Sequence, residues 1–409
     1  MKELIKQLIK DSQERAITVK PRDIRIPTDT TKIITLIGPR RAGKTSILYH
    51  TIEQLRKTLP KENIVYLNFE DERINITKND LQLIIDAYLE LYPDTTLENV
   101  HFFFDEIQNV RGWEQFVRRI HDTISKHIYL TGSSAKLLSK EIATALRGRT
   151  LTYEVYPLSF KEYLSFMNID STDIVSTKKR AKIKRAFQMY LFKGGFPEAC
   201  ELREDLIPKL YQEYMDVMLY RDIAERHTVT NLHALKYVLK KGFASIASEF
   251  SLHKTYLELR SQGIKIGKDL LYQFPAFFED AYILFFLSIA NRSLTKQELS
   301  VKKVYAIDTG LAHAVRQTEN IGQLLENCVF LELLRRGGVV GYAKGKHECD
   351  FITKDAAIQV TKILSEKNKK RELAGFTEVK GKKQLLLTMD QEGEEQGVHM
   401  LPVWKWLLL

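Results

Sequence analysis

Short apolar runs alternate with longer stretches of helical composition along the first part of the chain. The runs span residues 33–37, 64–69, 100–104, 127–130 and 150–155. Runs of this length, rich in β-branched and aromatic side chains, predict buried strands, and the stretches between them, such as 80–91 and 112–125, predict helices. Alternating strands and helices favour a parallel sheet. The sequence therefore predicts an α/β fold whose first domain, residues 1–156, holds an N-terminal helix and five parallel strands.

The pattern changes after residue 156. Residues 157–230 have mainly helical periodicity. Residues 231–300 predict a small module in which helices at 243–250 and 254–262 flank a tight turn, a pattern typical of a helix-turn-helix. Residues 301–409 return to apolar runs of strand length, which predicts a second α/β unit.

Composition narrows the class of protein. The chain has 409 residues and a formal net charge of +10. This excess favours a polyanionic partner such as nucleic acid, and a solvated basic surface explains it equally well. The three cysteines form no metal-binding or disulfide pattern, which favours a reducing compartment. No apolar run approaches the ~18 residues of a membrane span, so we expect a cytoplasmic protein without a membrane partner.

Residues 38–45 match the P-loop pattern G-x-x-x-x-G-K-[ST] between a predicted strand and a predicted helix. The predicted nucleotide-binding residues are Gly38, Pro39, Arg40, Arg41, Ala42, Gly43, Lys44, Thr45 and Ser46. The glycines let backbone N–H groups approach phosphate oxygens. Lys44 would reach the β- and γ-phosphates, and the Thr45 hydroxyl would bind Mg²⁺. The motif therefore predicts ATP and Mg²⁺ as cofactors.

Two adjacent carboxylates, Asp105 and Glu106, follow the predicted strand at 100–104. They would lie at the carboxyl edge of a parallel sheet, where ligands bind. Asp105 is predicted to hold Mg²⁺ with Thr45, and Glu106 to orient and deprotonate the attacking water. The alternative is a pair of acids that caps the next helix.

Hydroxyl and guanidinium groups follow the last two predicted strands of this domain. Ser133 or Ser134 could contact the γ-phosphate, or either could cap a helix. Arg147 and Arg149 flank a glycine, and one of them could reach the γ-phosphate in a neighbouring subunit. The alternative is an ordinary surface turn.

These motifs resemble those of the prokaryotic AAA+-type ATPases that are common in archaea, the AAA_14 plus DUF4143 type. The resemblance rests on residues 38–46, 67–71, 103–108, 131–134 and 145–149, and it continues through 156–163, 193–198 and 401–406. It implies a helical lid over 157–230, a winged-helix-like module over 231–300 and a PD-(D/E)xK nuclease-like domain over 301–409.

The resemblance also implies roles for individual residues. It gives Lys44, Thr45, Asp105 and Glu106 the ATPase roles described above, makes Ser133 or Ser134 the sensor, and makes Arg147 or Arg149 the arginine that acts in trans. A homo-oligomer is therefore the expected assembly.

The predicted helix at 254–262 carries side chains that can face DNA. They are Lys254, Thr255, Tyr256 and Arg260. Basic, hydroxyl and aromatic groups of this kind contact phosphates and bases. The resemblance to a winged helix supports the interpretation, and a plain packing unit is the alternative. DNA is therefore the predicted partner.

The predicted second α/β unit carries an incomplete nuclease motif. By resemblance, a helix acid, a strand Asp and a (D/E)-x-K pair would bind Mg²⁺ and activate water. Glu326 and Asp350 match, whereas Gln359 offers a neutral oxygen and Thr361 stands in place of the lysine. We expect a degenerate site in a domain that keeps nucleic-acid binding, with a structural or dimerisation role as the alternative.

The combined prediction is Mg²⁺-dependent ATP hydrolysis coupled to binding and remodelling of DNA, including branched DNA. One alternative is an ATP-dependent conformational switch that recruits a protein partner. Another is an ATP-activated nuclease. A small-molecule kinase fits less well, because Glu106 beside Asp105 indicates water as the nucleophile.

Overall fold

The computed structural model describes residues 1–132, 144–291, 293–316, 320–379 and 381–409. The chain divides into two compact units, Met1–Val155 and Tyr156–Leu409, and each is described by itself.

The first unit is a parallel five-stranded sheet with flanking helices, as predicted. Its strands are β1 (Ile33–Ile37), β2 (Ile64–Asn68), β3 (His101–Asp105), β4 (Ile128–Gly132) and β5 (Thr150–Glu154), in the order β2-β3-β4-β1-β5. The helices are α1 (Lys2–Glu14), α2 (Lys44–Leu55), α3 (Gln82–Leu91) and α4 (Trp113–Thr123). Strands β1, β3 and β4 are buried along their whole length, which explains their mainly apolar sequences.

This strand order brings three chain segments together. In the parallel register, Phe104 pairs with Leu130, and Leu36 pairs with Thr131. The ends of β1, β3 and β4 therefore lie side by side at the carboxyl edge of the sheet. That edge carries the P-loop, the acid pair and the last residues of β4.

The second unit begins with helices. They are α5 (Phe160–Phe166), α6 (Thr177–Lys193), α7 (Pro197–Glu201) and α8 (Ile207–Val217), which continues as a π-helix over Met218–Ala224. Their buried aromatic side chains form a core in which the Phe160 ring contacts both Phe187 and Tyr190.

A three-stranded antiparallel sheet with four helices follows. The elements in chain order are α9 (Leu232–Ala244), β6 (Ser248–Phe250), α10 (Leu252–Ser261), α11 (Lys268–Asp280), β7 (Leu284–Leu287), α12 (Leu294–Leu299) and β8 (Lys302–Ala306). The sheet order is β6-β8-β7.

The helix predicted at 243–250 is wrong. Helix α9 ends at Ala244, Ala247 has a left-handed φ of 56°, and Ser248–Phe250 forms β6, which pairs with β8. The two helices joined by a short turn are instead α10 and α11. Because β8 pairs with β6 and β7, the boundary predicted between residues 300 and 301 falls within this sheet.

The rest of the unit is a six-stranded mixed sheet with helices. The helices are α13 (Thr309–Arg316), α14 (Ile321–Arg335), α15 (Lys369–Ala374) and α16 (Val403–Trp406), and the strands are β9 (Gly341–Lys344), β10 (Glu348–Ile352), β11 (Ala356–Val360), β12 (Lys383–Thr388), β13 (Gly393–Glu395) and β14 (Val398–Pro402). The order is β13-β14-β12-β11-β10-β9, with β9, β10 and β11 antiparallel and β11, β12 and β14 parallel.

Candidate functional site

Two glycines set the shape of the loop between β1 and α2. Gly38 has a φ of 145°, and a Cβ there would lie 2.1 Å from the Val155 carbonyl oxygen. Gly43 has a φ of 95° and immediately precedes α2. A side chain at either position would strain or block the loop, so the backbone requires glycine at both ends.

Lys44, the first residue of α2, lies inside this loop with 4% of its surface exposed. Its Nζ donates to the carbonyl oxygens of Gly38, at 3.0 Å, and Pro39, at 2.9 Å. The Glu106 Oε1 atom lies 3.8 Å away. The loop therefore surrounds an ammonium group that points toward the acid pair.

Asp105 accepts hydrogen bonds from three hydroxyl groups. Thr45 Oγ1 and the Tyr66 hydroxyl each donate to its Oδ2 at 2.8 Å, and Thr131 Oγ1 donates to its Oδ1. Burial raises the pKa of Asp105, although the three hydroxyls act in the opposite direction. The Thr45 hydroxyl and the Asp105 carboxylate are the oxygen ligands that Mg²⁺ prefers, so this donor set fits the predicted ion.

Glu106 is held in a fixed orientation beside Lys44. It has a left-handed φ of 53°, its N–H donates to Thr131 Oγ1 at 2.9 Å, and Gln108 Nε2 donates to its Oε2 at 2.5 Å. A bulky residue adopts such a φ only where its surroundings require it. Glu106 is 7% exposed.

Three supporting residues were absent from the predicted site. Thr131 contacts both Asp105 and Glu106 and is the first residue of the segment 131–134, from which Ser133 and Ser134 were predicted. Those two serines lie outside the described residues. Gln108 lies two residues beyond Glu106, within the motif. Tyr66 gives no signal in the sequence, because its hydroxyl reaches Asp105 from the neighbouring strand.

The remaining P-loop residues have structural contacts. Arg40 pairs with Glu70 at 2.7 Å, Arg41 has a left-handed φ of 63°, and the Ala42 carbonyl accepts a hydrogen bond from Arg22 Nη1 at 2.6 Å. The last contact joins the segment before β1 to the loop. Ser46 is partly buried in the first turn of α2.

The two candidate arginines differ in their surroundings. Arg149 donates through Nε and Nη2 to both carboxylate oxygens of Asp122, at 2.9 and 3.1 Å. Arg147 is exposed and has a left-handed φ of 51°. Arg149 therefore forms an ion pair within its own unit, whereas the Arg147 side chain lies at the surface.

The four residues predicted to contact DNA lie on α10 but do not form one surface. Lys254 and Arg260 are exposed, and the Arg260 guanidinium lies 5.8 Å from the Tyr256 ring centroid. Thr255 is 3% exposed and donates to the Ser251 carbonyl at 3.1 Å. The prediction for Thr255 is wrong, because this side chain faces the core and not solvent.

Sequence reasoning missed the basic residues after α10. The turn to α11 contains Lys265 between Gly263 and Gly267, and α11 begins with Lys268, whose Nζ lies 5.5 Å from the Tyr272 ring centroid. Tyr272 is 43% exposed. A lysine between two glycines, followed by a basic helix start, is the signal that could have identified them.

The three residues of the predicted degenerate nuclease site lie close together in the second unit. The Lys303 Nζ on β8 contacts Glu326 Oε1 on α14 at 2.6 Å and Asp350 Oδ1 on β10 at 3.1 Å. Gln359 Oε1 accepts the Asp350 N–H at 3.2 Å, and its Nε2 donates to Glu372 Oε2 at 3.0 Å. Lys303 and Glu372 were absent from the prediction.

The described part of the chain contains no helix long and apolar enough to cross a membrane.

Comparisons with known proteins identify two regions by sequence. Residues 30–164 match the model of an AAA domain, and residues 184–321 match a domain of unknown function, DUF8612. The AAA match confirms the family predicted for the first domain. Neither of these two models extends over residues 322–409, so the nuclease-like domain stays a prediction.

Two relatives are similar over nearly their whole lengths. The chain is 36% identical to the uncharacterized protein MJ1544 of Methanocaldococcus jannaschii, across 99% of this chain and 95% of that protein. It is 31% identical to an uncharacterized protein of Haemophilus influenzae, across 93% of this chain and 95% of that protein.

Likeness to solved structures is low. The C. elegans protein PCH-2 gives a TM-score of 0.32 and 17% identity, over 52% of this chain and 61% of that chain. The Aeropyrum pernix ORC1 protein, solved in complex with DNA, gives a TM-score of 0.32 and 11% identity, over 79% of this chain and 93% of that chain. Likeness of this degree supports no conclusion about a partner.

Proposed function

This chain belongs to the AAA-domain family that includes the M. jannaschii protein MJ1544, and on that premise we propose that it is a Mg²⁺-dependent ATPase that acts on DNA as a homo-oligomer. The observation that carries the proposal is the position of Lys44, Thr45, Asp105 and Glu106 at one edge of the sheet.

Each of these residues has a chemical role that its surroundings allow. The Lys44 ammonium can exchange the carbonyls of its own loop for phosphate oxygens, which attract it more strongly because they are charged. The Glu106 carboxylate accepts a proton from the attacking water, and Gln108 and Thr131 fix its direction. Thr45 and Asp105 would hold Mg²⁺, which when bound neutralises charge on the phosphates.

Steady-state ATP hydrolysis tests the enzymatic part of the proposal. The Lys44→Ala variant is expected to lose ATP binding and hydrolysis. Lys57→Ala, which removes an exposed lysine just beyond α2, should hydrolyse ATP at the wild-type rate. Equal activity in the two variants would contradict the assignment of the site.

The proposal of a homo-oligomer rests on the different surroundings of Arg147 and Arg149. The exposed Arg147 can reach a nucleotide in a neighbouring subunit, whereas Arg149 is engaged by Asp122. An arginine that acts in trans contributes a factor of about 10³–10⁵ to turnover. We therefore assign this role to Arg147 and none to Arg149.

Mixing two inactive variants tests this assignment. Arg147→Ala subunits keep Glu106, and Glu106→Gln subunits keep Arg147, so a mixed oligomer contains complete sites. Activity should return on mixing, while Arg149→Ala alone should stay near the wild-type rate. If mixing restores no activity in subunits that co-assemble, Arg147 does not act in trans.

The DNA part of the proposal rests on the basic surface around α10 and α11. Lys254, Arg260, Lys265 and Lys268 are exposed along these helices and their turn, and Tyr256 and Tyr272 provide aromatic faces. Helix α11 is the second helix of the pair and takes the position that reads a groove in helix-turn-helix proteins. Asp269, which directly follows Lys268, is also exposed and would repel phosphate at that position.

Salt-dependent binding to duplex, single-stranded and junction DNA tests this surface. Lys265→Ala/Lys268→Ala should weaken binding and reduce the slope of log K against log salt by about 2. The control, Lys346→Ala/Lys354→Ala, removes two exposed lysines from the turns on either side of β10 and should leave the slope unchanged. ATP turnover without any DNA binding at about 50 mM salt would favour the alternative of a conformational switch.

A further inference from the structure

Lys303 lies at the centre of a carboxylate cluster in the second unit. It is 1% exposed, and its ammonium group contacts Glu326 Oε1 at 2.6 Å, Glu348 Oε1 at 3.0 Å and Asp350 Oδ1 at 3.1 Å. An ammonium group has three N–H donors. Each donor therefore has a carboxylate acceptor, and the cluster is built around a cation that belongs to the chain itself.

The surrounding polar atoms are also engaged. Glu326 Oε1 accepts a second hydrogen bond, from the Tyr305 hydroxyl at 2.8 Å, and Asp350 Oδ2 accepts the Val360 N–H at 2.9 Å. Gln359 bonds to the Asp350 backbone and to Glu372. Glu326 Oε1 and both Asp350 carboxylate oxygens, which a nuclease-like site would offer to a metal, are thus bonded to protein groups.

The geometry suits an ammonium group and does not suit a divalent ion. The three distances are typical of hydrogen bonds to a charged donor, whereas Mg²⁺ binds oxygen at about 2.0–2.1 Å and Ca²⁺ at about 2.3–2.6 Å. A second cation among these carboxylates would meet the charge of Lys303 at close range. Among the residues that the structure describes, no group of three or more His, Cys, Asp or Glu side chains is arranged to hold a metal ion.

We propose that the Lys303 ammonium replaces the divalent cation of this nuclease-like site, so that the cluster is a fixed internal ion pair that binds no metal and cleaves no nucleic acid. Because β8 belongs to the three-stranded sheet, the same contacts tie that sheet to α14 and β10. The inference is independent of the proposed ATPase and DNA-binding functions.

Metal binding by the full-length, nucleotide-free protein tests the proposal. Mn²⁺ titration followed by electron paramagnetic resonance would count bound ions in the wild type, in Asp350→Asn and in Lys303→Met. Wild type and Asp350→Asn should bind the same number of ions, because the cluster holds none. Lys303→Met removes the internal cation and should gain about one Mn²⁺ per chain. Adding Asp350→Asn to Lys303→Met should abolish that gain.

The matched control is Lys302→Met, which removes the neighbouring, more exposed lysine of β8 and should leave Mn²⁺ binding unchanged. Where Lys303→Met folds poorly without metal, Mn²⁺ should raise its melting temperature and leave that of Lys302→Met unaltered.

Three results would overturn the proposal. The first is loss of one bound Mn²⁺ from the wild type on Asp350→Asn substitution, which would show that the cluster already holds metal. The second is a folded Lys303→Met that gains no ion. The third is Mn²⁺-dependent nicking of plasmid DNA by the wild type that Asp350→Asn abolishes.

Discussion

Among the described residues two buried lysines lie beside carboxylates, one in each unit, and they differ in the contacts that each would lose by moving. Lys44 donates to two neutral carbonyl oxygens, and its ion pair with Glu106 spans 3.8 Å. Lys303 lies within 3.1 Å of three carboxylates. The first lysine gains charge–charge attraction when a phosphate arrives. Lys303 already has this charge–charge attraction and would lose it by moving.

The comparison shows that a lysine beside acids is not in itself an active site. The loop around Lys44 presents backbone groups that a phosphate can replace, because the glycines keep side chains out of the space. The space around Lys303 is filled by the carboxylates themselves. A lysine can serve a catalytic centre when a substrate can replace its protein contacts. Where the contacts cannot be replaced, the same residue types form an internal ion pair.

The largest expected effect concerns the glutamate beside each of the two lysines. Glu106→Gln should reduce ATP hydrolysis by about 10²–10⁴-fold while ATP binding survives, because the amide cannot accept the proton from water. Glu326→Gln, the same change in the second unit, should leave hydrolysis near the wild-type rate. Single-turnover hydrolysis and fluorescent-nucleotide binding measure the two quantities. A similar loss of hydrolysis in both variants would remove the distinction between the two centres.

The next effect concerns stability. Lys303→Met should lower the free energy of unfolding by about 3–5 kcal/mol, because it leaves buried carboxylates without their cation. Lys44→Met should cost less, since its closest partners are neutral carbonyls. Urea unfolding in metal-free buffer checks both values.

The charge-balanced variant Lys303→Met/Glu326→Gln provides the control for this prediction. It removes one of the unpaired acids and should recover part of the lost stability. If Lys44→Met proved the more destabilising of the two lysine substitutions, the contrast drawn between the two lysines would be wrong.

The first unit was predictable because its signals are local. Strands β1 and β3 are mainly apolar and buried; the P-loop directly follows β1, and the acid pair lies at the end of β3. The parallel topology then places their ends at one edge. What local sequence could not supply was Thr131 as the shared partner of Asp105 and Glu106, because that role depends on strand register.

The second unit was less predictable because its contacts are distant in sequence. The spacing of Phe243, Ile246 and Phe250 fits a helix, whereas Ser248–Phe250 forms β6 because it pairs with β8, more than fifty residues later. Lys303 lies 47 residues from Asp350. A lysine in a strand predicts an exposed side chain, so nothing in its neighbourhood indicated an ammonium group directed into the core.

A smaller effect concerns the stability of the fold at acid pH. It extends the comparison from buried charged lysines to a histidine that is buried in its neutral form. His101 stacks on His127 with ring centroids 4.2 Å apart, and burial, followed by the charge of His127, lowers the pKa of His101 to about 4. Its contribution to stability is fully present above about pH 6.5 and is lost as the pH falls toward 4, by up to about 3 kcal/mol. His101→Phe should flatten this dependence. Urea unfolding at several pH values, followed by Trp113 fluorescence in a Trp404→Phe/Trp406→Phe background, measures it, and an unchanged acid slope would contradict it.

The smallest expected effect tests whether the stability cost of breaking the Lys303 cluster comes from its burial and not from ion pairing alone. Arg149 and Asp122 form a two-point ion pair at a partly exposed position. Water solvates both groups when the pair is broken, so Arg149→Ala should change the melting temperature by no more than about 2 °C. Differential scanning calorimetry at low and high salt checks this, with Lys303→Met as the buried counterpart. A shift for Arg149→Ala as large as that for Lys303→Met would show that the geometry of the pair, and not its desolvation, sets the cost.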